Sequence, residues 1–490
     1  MNDAPRTSTK TVAVLGASFG GFHAARILAK ALPPDWKVVL IDRNSHVNHL
    51  YVFPRYAVLA GHEHKAFIPP TQVFSPPHTF AHALVTRLTP TSVTFTRLSS
   101  TPPSSHPPSP YACPHPQHTI YHCPFSATET LHFDFCVYAL GSRLPAPIDL
   151  WGDEGARSAI EGTPVGGEGY RGMKEEGVAW MKRMQRRVEG ARSVLVVGGG
   201  ALGIQFASDI AALYGPSKYV TLLHSRDTLL PRFEEELGEV VLSSLSSLGV
   251  TVLLGERVDL STLHTEKHRV KANAALAAVH TNGEVDQETG DGAIEEEERV
   301  VKTVKGREVR AELVLLCTGQ TPNTGLMADL LPDAIVPSGE NKGLIRVRRT
   351  LQVAVPRRLL PLDDALTLDT TTSQAVTSRL ANDGLETAYP HVFAIGDAAD
   401  AFGAIKAGHN AHWQAEVAAR NIVRLVHGDA ELEQYVPGPP AIKVSLGLND
   451  SAYQINGEVG TKSDCAVDLD AKVMWAHFGW KDLKDKDMLV

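Results

Sequence analysis

Apolar runs separated by glycine-rich turns mark two βαβ units along the chain. The run Thr11 to Leu15 leads into a glycine turn, after which apolar residues recur at helical spacing. A second run, Lys37 to Ile41, ends at Asp42 and completes a parallel βαβ unit. The same order returns at Ser193 to Val197, followed by a glycine turn, a helical segment and the strand Tyr219 to Leu223. Two such units in one chain predict two dinucleotide-binding sites.

Two polar segments interrupt the succession of predicted strands and helices. The segment Ser99 to Pro116 is rich in proline and serine, so we interpret it as a surface loop that lengthens a hairpin between Val93 to Leu98 and Thr119 to His122. The segment from Thr265 to about Lys305 contains four consecutive glutamates and is interpreted as a second solvated excursion. Further elements are predicted as strands at Leu313 to Cys317 and His391 to Ile395 and a helix from about Gly408 to Val426.

Length and composition narrow the class of protein. At 490 residues the chain exceeds what one hydrophobic core usually serves, so two or three domains are expected. The net charge is -8 and the basic residues are dispersed, which counts against nucleic-acid binding. No apolar run approaches the roughly 20 residues that cross a bilayer, and no secretory signal is evident. We expect a cytoplasmic protein, with peripheral contact with a membrane left open.

The cysteines give no sign of a disulfide framework or a metal site. They number five, an odd number, and are expected to be reduced thiols. Cys113 and Cys123 enclose three histidines that could imitate a metal cluster. The spacing matches no tetrahedral zinc pattern, so we interpret the segment as an unstructured loop and predict no metal site.

The first glycine turn has the features of a pyrophosphate site. Gly16 gives the bend between strand and helix, and Gly21 lets the helix pack close to the sheet. Ser18 takes the middle position, where glycine is usual, and crowds the phosphate by one small side chain. Asp42, at the end of the second strand, is placed to accept hydrogen bonds from a ribose. The alternative is a generic tight turn, which the flanking strand, helix and acid disfavour.

The second turn matches the dinucleotide pattern completely, with Gly198, Gly200 and Gly203 in register. The strand that follows it ends at His224, with Arg226 two residues further on. A carboxylate at this strand end binds the ribose of NAD and repels the 2′-phosphate of NADPH. His224 and Arg226 would instead tolerate or attract that phosphate. The alternative, that both are solvated loop residues, stays open.

Five short motifs occur in an order that resembles the pyridine nucleotide-disulfide oxidoreductase superfamily. They are GASFGG at 16 to 21, ALGS at 139 to 142, GGGALG at 198 to 203, CTGQTPN at 317 to 323 and IGDAAD at 395 to 400. The resemblance implies that FAD binds at the first turn and NAD(P)H at the second. It also implies that Asp397 binds the flavin ribityl chain, and that Gly141 and Gly319 match the glycines of two strand ends.

The resemblance and the order of elements together predict an α/β fold. We expect two Rossmann-like dinucleotide-binding domains in a glutathione reductase-like arrangement, plus a small C-terminal α+β unit. Residues 1–150 and 326–430 are assigned to the two parts of an FAD-binding domain. Residues 151–325 are assigned to an NAD(P)H-binding domain, and residues 431–490 to the C-terminal unit.

Four longer segments, at 46 to 69, 220 to 225, 405 to 423 and 435 to 450, resemble the apoptosis-inducing factor-like branch and its ferroptosis suppressor (AMID-type) NAD(P)H:quinone oxidoreductases. In that branch a lysine near the flavin corresponds to Lys406, which implies that its cation stabilises the reduced flavin. Gln205 stands where the branch commonly has glutamate, so an acid–base role there is not carried over. No cysteine precedes Cys113, so the paired redox cysteines of other superfamily members are missing.

These observations predict an FAD-dependent enzyme that passes hydride from NAD(P)H through the flavin to a small-molecule, quinone-like acceptor. The alternatives are a flavin oxidoreductase for one dedicated small molecule and a flavin redox-signalling protein. The oligomeric state is not predicted. Lys406 is the predicted catalytic residue, with His49, Tyr51 and Lys65 as further candidates beside the flavin. The predicted cofactor-binding residues are Gly16, Ser18, Gly20, Gly21, Asp42, Arg43, Gly141, Gly198, Gly200, Gly203, His224, Arg226, Gly319, Gly396 and Asp397.

Overall fold

The computed structural model describes residues 9 to 70, 74 to 98, 128 to 145, 149 to 151, 170 to 271, 293 to 357 and 384 to 489. The loop predicted at 99 to 116, the strand predicted at 119 to 122, and Cys113 and Cys123 lie outside these residues. No helix in the part of the chain that the structure describes is long and apolar enough to cross a membrane. The cysteines in the same part, Cys136, Cys317 and Cys465, are free thiols.

A seven-stranded sheet forms the first core, with strand order β21-β8-β1-β2-β5-β6-β7. Its strands are β1 (Lys10–Leu15), β2 (Trp36–Asp42), β5 (Thr79–Leu88), β6 (Ser92–Arg97), β7 (Thr128–His132), β8 (Phe135–Tyr138) and β21 (Val392–Ala394). From β21 to β5 the neighbours are parallel, whereas β5, β6 and β7 pair antiparallel. Residues Thr11 to Leu15 of β1 are buried, and Val12 to Leu15 are all apolar, as expected for a parallel strand covered on both faces.

A second, four-stranded sheet is parallel throughout, with the order β12-β11-β10-β16. Its strands are β10 (Ser193–Val197), β11 (Tyr219–Leu223), β12 (Thr251–Leu253) and β16 (Leu313–Leu316). The two sheets repeat one topology: the strand before each glycine turn pairs on one side with the next strand and on the other with a later one. The α/β class with Rossmann-like domains is confirmed.

The helices surround these sheets. They are α1 (Phe19–Ala31), α2 (Phe53–Tyr56), α3 (Lys174–Gly190), α4 (Ala201–Tyr214), α5 (Glu235–Ser247), α6 (Gly325–Leu330), α7 (Gly408–His427) and α8 (Ala471–His477). Helix α7 packs along α1, so the segment near residue 400 returns to the first sheet. It ends at Gly428, whose left-handed conformation closes the last turn.

The glutamate-rich stretch belongs to a strand. Strand β13 (Val258–Lys271) pairs antiparallel with β14 (Ala293–Thr303), and β14 pairs with β15 (Glu308–Ala311). Buried Val300 and Val301 belong to the core under this sheet. The segment predicted as a solvated excursion at 265 to 305 therefore contains paired strands that the sequence did not indicate, because backbone pairing can hold a polar strand that shows no apolar alternation.

The remaining strands are short. They form the pairs β3 (Val47–Asn48) with β4 (Phe67–Ile68), β9 (Ser142–Arg143) with β17 (Thr321–Pro322), β18 (Ile345–Arg346) with β22 (Ala399–Asp400) and β19 (Ala354–Pro356) with β20 (Leu385–Thr387). The tail adds an antiparallel sheet of β23 (Ile442–Leu446), β24 (Asp450–Ile455) and β25 (Glu458–Lys462).

The C-terminal tail is fastened to the segment that follows β2. The indole N–H of Trp475 donates to the carbonyl of Lys65 at 2.9 Å, and that of Trp480 to the carbonyl of Pro69 at 2.8 Å. Phe478 packs against Phe22 of α1, with ring centroids 4.8 Å apart. Trp475 and Phe478 are fully buried, so the tail completes the core instead of lying on its surface.

Candidate functional site

The first glycine of each turn lies against the end of a neighbouring strand. Gly16 has φ +99°, and a Cβ there would lie 2.3 Å from the carbonyl oxygen of Ala139. Gly198 has φ +123°, and a Cβ there would lie 2.2 Å from the carbonyl oxygen of Cys317. Neither position can hold a larger residue without moving the backbone. The two turns are thus built in the same way.

The last glycine of each turn brings the helix onto the turn itself. A Cβ on Gly21 would lie 1.8 Å from the carbonyl oxygen of Gly16, and one on Gly203 would lie 1.9 Å from that of Gly198. The middle glycine of the second turn, Gly200, is not packed against the backbone in this way. A Cβ on Gly200 would have no atom of the described chain within 4 Å, so this position opens into free space in front of α4, as expected where a phosphate approaches helix amides.

A side chain from the following strand braces each turn. Asp42 accepts a hydrogen bond at Oδ2 from the N–H of Ala17 at 2.6 Å, and at Oδ1 from the N–H of Asn44 at 2.7 Å. Burial raises the pKa of Asp42, while these backbone hydrogen bonds oppose that rise. His224 occupies the corresponding place in the second turn. Its Nδ1 accepts from the N–H of Gly199 at 3.0 Å, so the ring proton lies on Nε2.

His224 is half-buried, and burial lowers its pKa, with the nearby Arg226 charge acting in the same direction. The imidazole is therefore neutral at pH 7. Arg226 itself is exposed and lies off the cavity wall. Arg257, which sequence reasoning missed, lines the cavity beside His224 and Ser225. Its position follows from the pairing of β11 with β12, a long-range contact that the sequence pattern does not show.

One cavity of about 1680 Å³ joins the two turns. This volume exceeds the roughly 300–1,000 Å³ of a typical single-ligand pocket. Gly21 and Gly203 pack beneath the turns, as their close contacts require, and do not face the cavity. The predicted residues that line it are Gly16, Ser18, Gly20, Asp42, Arg43, Gly141, Gly198, Gly200, His224, Gly319, Gly396, Asp397 and Lys406.

Asp397 and Lys406 lie on the wall formed by the segment after β21. Asp397 accepts a hydrogen bond at Oδ2 from the hydroxyl of Ser142 at 2.9 Å, and burial raises its pKa. The Lys406 ammonium donates to the carbonyl of Ala399 at 2.8 Å. Burial lowers the pKa of Lys406, whereas the carboxylates of Asp397 and Asp400 oppose that effect. The wall therefore holds a carboxylate and a lysine whose charges influence each other.

Gly141 and Gly319, which the motifs paired by resemblance, lie at strand ends that meet in space. Both have positive φ, +60° and +112°, and both have open space where a side chain would begin. The adjoining strands β9 and β17 pair antiparallel and join the two strand ends on the cavity wall.

Two of the further candidates do not face the cavity. Lys65 is buried in ion pairs with Asp468 at 2.8 Å and Asp485 at 3.0 Å, so it holds the C-terminal tail. His49 is buried in the core, whereas Tyr51 does line the cavity. The expectation for Lys65 and His49 is corrected accordingly, because their place in the segment after β2 does not determine which way the chain turns.

The cavity is also lined by residues outside the predicted set of cofactor-binding residues. Gln205 is buried and donates from Nε2 to the hydroxyl of Ser445 at 3.0 Å, which joins α4 to β23. Phe233, Ile442 and Lys443 also line the cavity. A carboxamide neither gains nor loses a proton near neutral pH, so Gln205 cannot act as an acid or a base, and its hydrogen bond to Ser445 has a structural role.

Comparison with known families and proteins agrees with this geometry. Residues 10–357 match the family described as pyridine nucleotide-disulphide oxidoreductase. The chain is 38% identical over 480 residues to Fe-regulated protein 8 of Mycosarcoma maydis, covering 96% of this chain and 95% of that protein. It is 25% identical to ferroptosis suppressor protein 1 of Taeniopygia guttata, covering 91% and 88% of the two chains.

Solved structures show the same fold at low sequence identity. A NAD-dependent persulfide reductase from A. fulgidus has a TM-score of 0.53 at 18% identity, covering 90% of this chain and 63% of that one. An engineered water-forming NADPH oxidase bound to NADPH has a TM-score of 0.52 at 17% identity, covering 90% and 74%. At these identities the likeness concerns the fold alone.

Proposed function

This chain belongs to the pyridine nucleotide-disulphide oxidoreductase family, and from that membership we propose that it is an FAD-dependent NAD(P)H oxidoreductase that reduces a quinone-like acceptor. Its family membership makes it an oxidoreductase that binds a flavin and a nicotinamide nucleotide. The choice of FAD, the choice of acceptor and the absence of a redox-active disulfide are the parts proposed here.

The observation that carries the proposal is the pair of equivalent turns that open into one cavity. The first turn combines a helix N-terminus with the braced carboxylate of Asp42, which suits a pyrophosphate and a ribose together. FMN has one phosphate and no adenosine ribose, so it would leave this end of the cavity without a ligand. The fit therefore favours FAD at the first turn.

The second turn is proposed to hold NAD(P)H. Neutral His224 takes the place of the carboxylate that would repel a 2′-phosphate, and Arg257 lies on the same wall. The site accordingly admits both NADH and NADPH. A bound flavin would supply the redox chemistry by accepting hydride from the nicotinamide and giving two electrons to the acceptor.

The chain's own residues would bind and orient the cofactors and stabilise charge. Asp397, which accepts a hydrogen bond from Ser142, would hold the ribityl chain of a bound flavin, and Lys406 would supply a positive charge that stabilises the reduced flavin. Tyr51, Phe233 and Ile442 give the cavity apolar surface that suits a planar aromatic acceptor and excludes water.

Steady-state turnover tests this proposal. FAD-loaded protein should oxidise NAD(P)H rapidly with a panel of quinones and slowly with oxygen or cytochrome c. Comparable rates with oxygen would favour an oxidase. Rapid anaerobic reduction of the flavin, without turnover on any quinone, would favour an oxidoreductase for a dedicated small molecule. Release of FMN on denaturation of the protein as purified, before any FAD is added, would contradict the assignment of FAD.

A further inference from the structure

A cluster of histidines lies away from the cavity, where α1, α7 and the end of α8 meet. His23 comes from α1, and His412 and Glu416 come from α7. The imidazole rings of His23 and His412 are stacked, with centroids 3.5 Å apart. Within the described part of the chain, these three side chains can bring one nitrogen or oxygen donor each within 4.8 Å of one another. No role in nucleotide binding accounts for them.

We propose that His23, His412 and Glu416 form a binding site for a divalent first-row transition-metal ion, which links α1 to α7. The Nε2 atoms of His23 and His412 lie 3.4 Å and 3.5 Å from the same oxygen, Oε1 of Glu416. Metal–ligand bonds of about 2.1 Å at tetrahedral angles place neighbouring donors about 3.4 Å apart. The nitrogen–oxygen separations thus already match those of a tetrahedral site.

The donor set suits such an ion. Two imidazoles and one carboxylate are ligands of borderline softness, which Zn²⁺ and its neighbours in the first row accept, and they leave one coordination position for water. Burial lowers the pKa of both His23 and His412, which favours the neutral imidazoles that a metal ion binds.

The carboxylate is already oriented. Arg420, one turn further along α7, donates to Oε2 of Glu416 at 3.0 Å and is itself held by Glu433 at 2.7 Å. Oε1 therefore remains directed at the two imidazoles. Hydrogen bonds to the far side of a ligand are a common way of fixing its orientation toward a metal. The i, i+4 spacing of His412 and Glu416 places both on one face of the helix.

One contact opposes binding and gives the proposal a sharp test. Arg26 donates to Nδ1 of His23 at 2.9 Å, which places the ring proton on Nε2, toward Glu416. Metal binding at Nε2 moves that proton to Nδ1, so the Arg26 guanidinium must turn away. It retains its contact with the carbonyl of His477 at 2.9 Å. The two stacked rings must also rotate apart so that both lone pairs face one ion.

Calorimetric titration of Zn²⁺ into chelator-treated, flavin-loaded protein tests the site. One Zn²⁺ should bind per chain, and His412→Ala and Glu416→Gln should each weaken binding at least about tenfold. His427→Ala is the matched control, since His427 is an exposed histidine on the same helix. Arg26→Met should strengthen binding, because it removes a cation and frees His23 to change tautomer.

Retained flavin would show that each variant is folded. Zn²⁺ binding that is unchanged in both His412→Ala and Glu416→Gln would overturn the proposal, as would an unmodified protein that binds no Zn²⁺ at micromolar concentrations. Weaker Zn²⁺ binding in Arg26→Met would also contradict the proposal, because the proposed site requires the Arg26 guanidinium to leave Nδ1 of His23 when the metal binds. None of these outcomes depends on the acceptor or on turnover.

Discussion

The Nδ1 atom of His224 accepts a hydrogen bond from the backbone N–H of Gly199 at 3.0 Å. The two residues are 25 positions apart, and so are Asp42 and Ala17, which make the corresponding contact in the first turn. A neutral ring can therefore brace a dinucleotide turn in place of a carboxylate. His224 thus makes the hydrogen bond that Asp42 makes in the first turn, but it carries no negative charge.

Replacing His224 by glutamate should change the cofactor preference. In His224→Glu we expect the KM for NADPH to rise about tenfold while the KM for NADH changes little, because like-charge repulsion acts only on the 2′-phosphate. Stopped-flow reduction of the flavin under anaerobic conditions measures this half-reaction alone. The effect should shrink as salt is added. A variant that treats both cofactors alike would show that His224 does not face the adenosine ribose.

Arg257 and Arg226 form a matched pair for the same question. Both are exposed, but only Arg257 lines the cavity. Arg257→Ala should raise the KM for NADPH severalfold through the loss of a charge-assisted hydrogen bond, whereas Arg226→Ala should have little effect. The ratio of NADPH to NADH reduction rates gives the comparison. A larger effect of Arg226→Ala on the KM for NADPH would indicate that Arg226, as predicted from the sequence, contacts the 2′-phosphate.

Alanine at Gly203 should lower the stability of the protein, whereas alanine at Gly200 should weaken cofactor binding without lowering stability. In Gly203→Ala the new methyl meets the carbonyl of Gly198 at 1.9 Å, so we expect a loss of about 3 kcal/mol in the free energy of unfolding. In Gly200→Ala the methyl has open space, so stability should change by no more than about 0.5 kcal/mol. The KM for NAD(P)H should nevertheless rise in Gly200→Ala. Denaturant titration and flavin-reduction kinetics separate the two effects.

Lys406 should influence the rate of flavin reduction. Lys406→Met keeps an unbranched side chain one atom shorter but removes its charge and the hydrogen bond to Ala399. We expect flavin reduction to slow roughly tenfold and the flavin potential to become more negative, because a positive charge near the reduced flavin is lost. Lys406→Arg should restore part of the rate. If the flavin potential is unchanged in Lys406→Met, the charge of Lys406 lies too far from the flavin to affect that potential.

Buried histidines should make the fold sensitive to acid. Burial lowers the pKa of His49 to about 4, below the roughly 6.5 of an unfolded chain. Between these values the unfolded chain binds more protons, so the free energy of unfolding falls as the pH falls through this window. For His49 alone the loss between pH 7.5 and pH 5 is about 2 kcal/mol.

His49→Leu isolates this contribution. The variant should lose about 2 kcal/mol less than the unmodified protein between pH 7.5 and pH 5, measured by denaturant titration at each pH. His46, whose pKa burial lowers to about 3, remains in both proteins and contributes equally to each. An equally steep loss in the variant would mean that His49 is already neutral in the unfolded chain or is protonated without cost.

The sequence predicted the parts of the site that depend on local chemistry. Gly16, Gly21, Gly198 and Gly203 could be recognised because each is required by a backbone contact within or beside its own turn. Asp397 and Lys406 were predicted because a resemblance supplied their roles. Both lie on the cavity wall in the structure.

The residues that sequence reasoning missed or misplaced depend on distant contacts. Lys65 follows an apolar strand and was expected at the flavin, but Asp468 and Asp485 in the tail draw it away. Arg257 enters the cavity because β11 and β12 are neighbours. The run of four glutamates interrupts any apolar alternation in β14, so its pairing with β13 and β15 is what reveals a strand.

The position of β21 at the edge of the first sheet has a consequence for biosynthesis. The four-stranded sheet is complete once the ribosome has passed residue 316, whereas the seven-stranded sheet needs residues 392–394. Asp397 and Lys406 emerge only after that strand, and Trp475, which packs against the segment at residue 65, emerges later still. Because domains fold as units during translation, the nicotinamide half is ready first. The first sheet and the cavity wall that carries Asp397 and Lys406 can therefore be completed only after most of the chain has been synthesised.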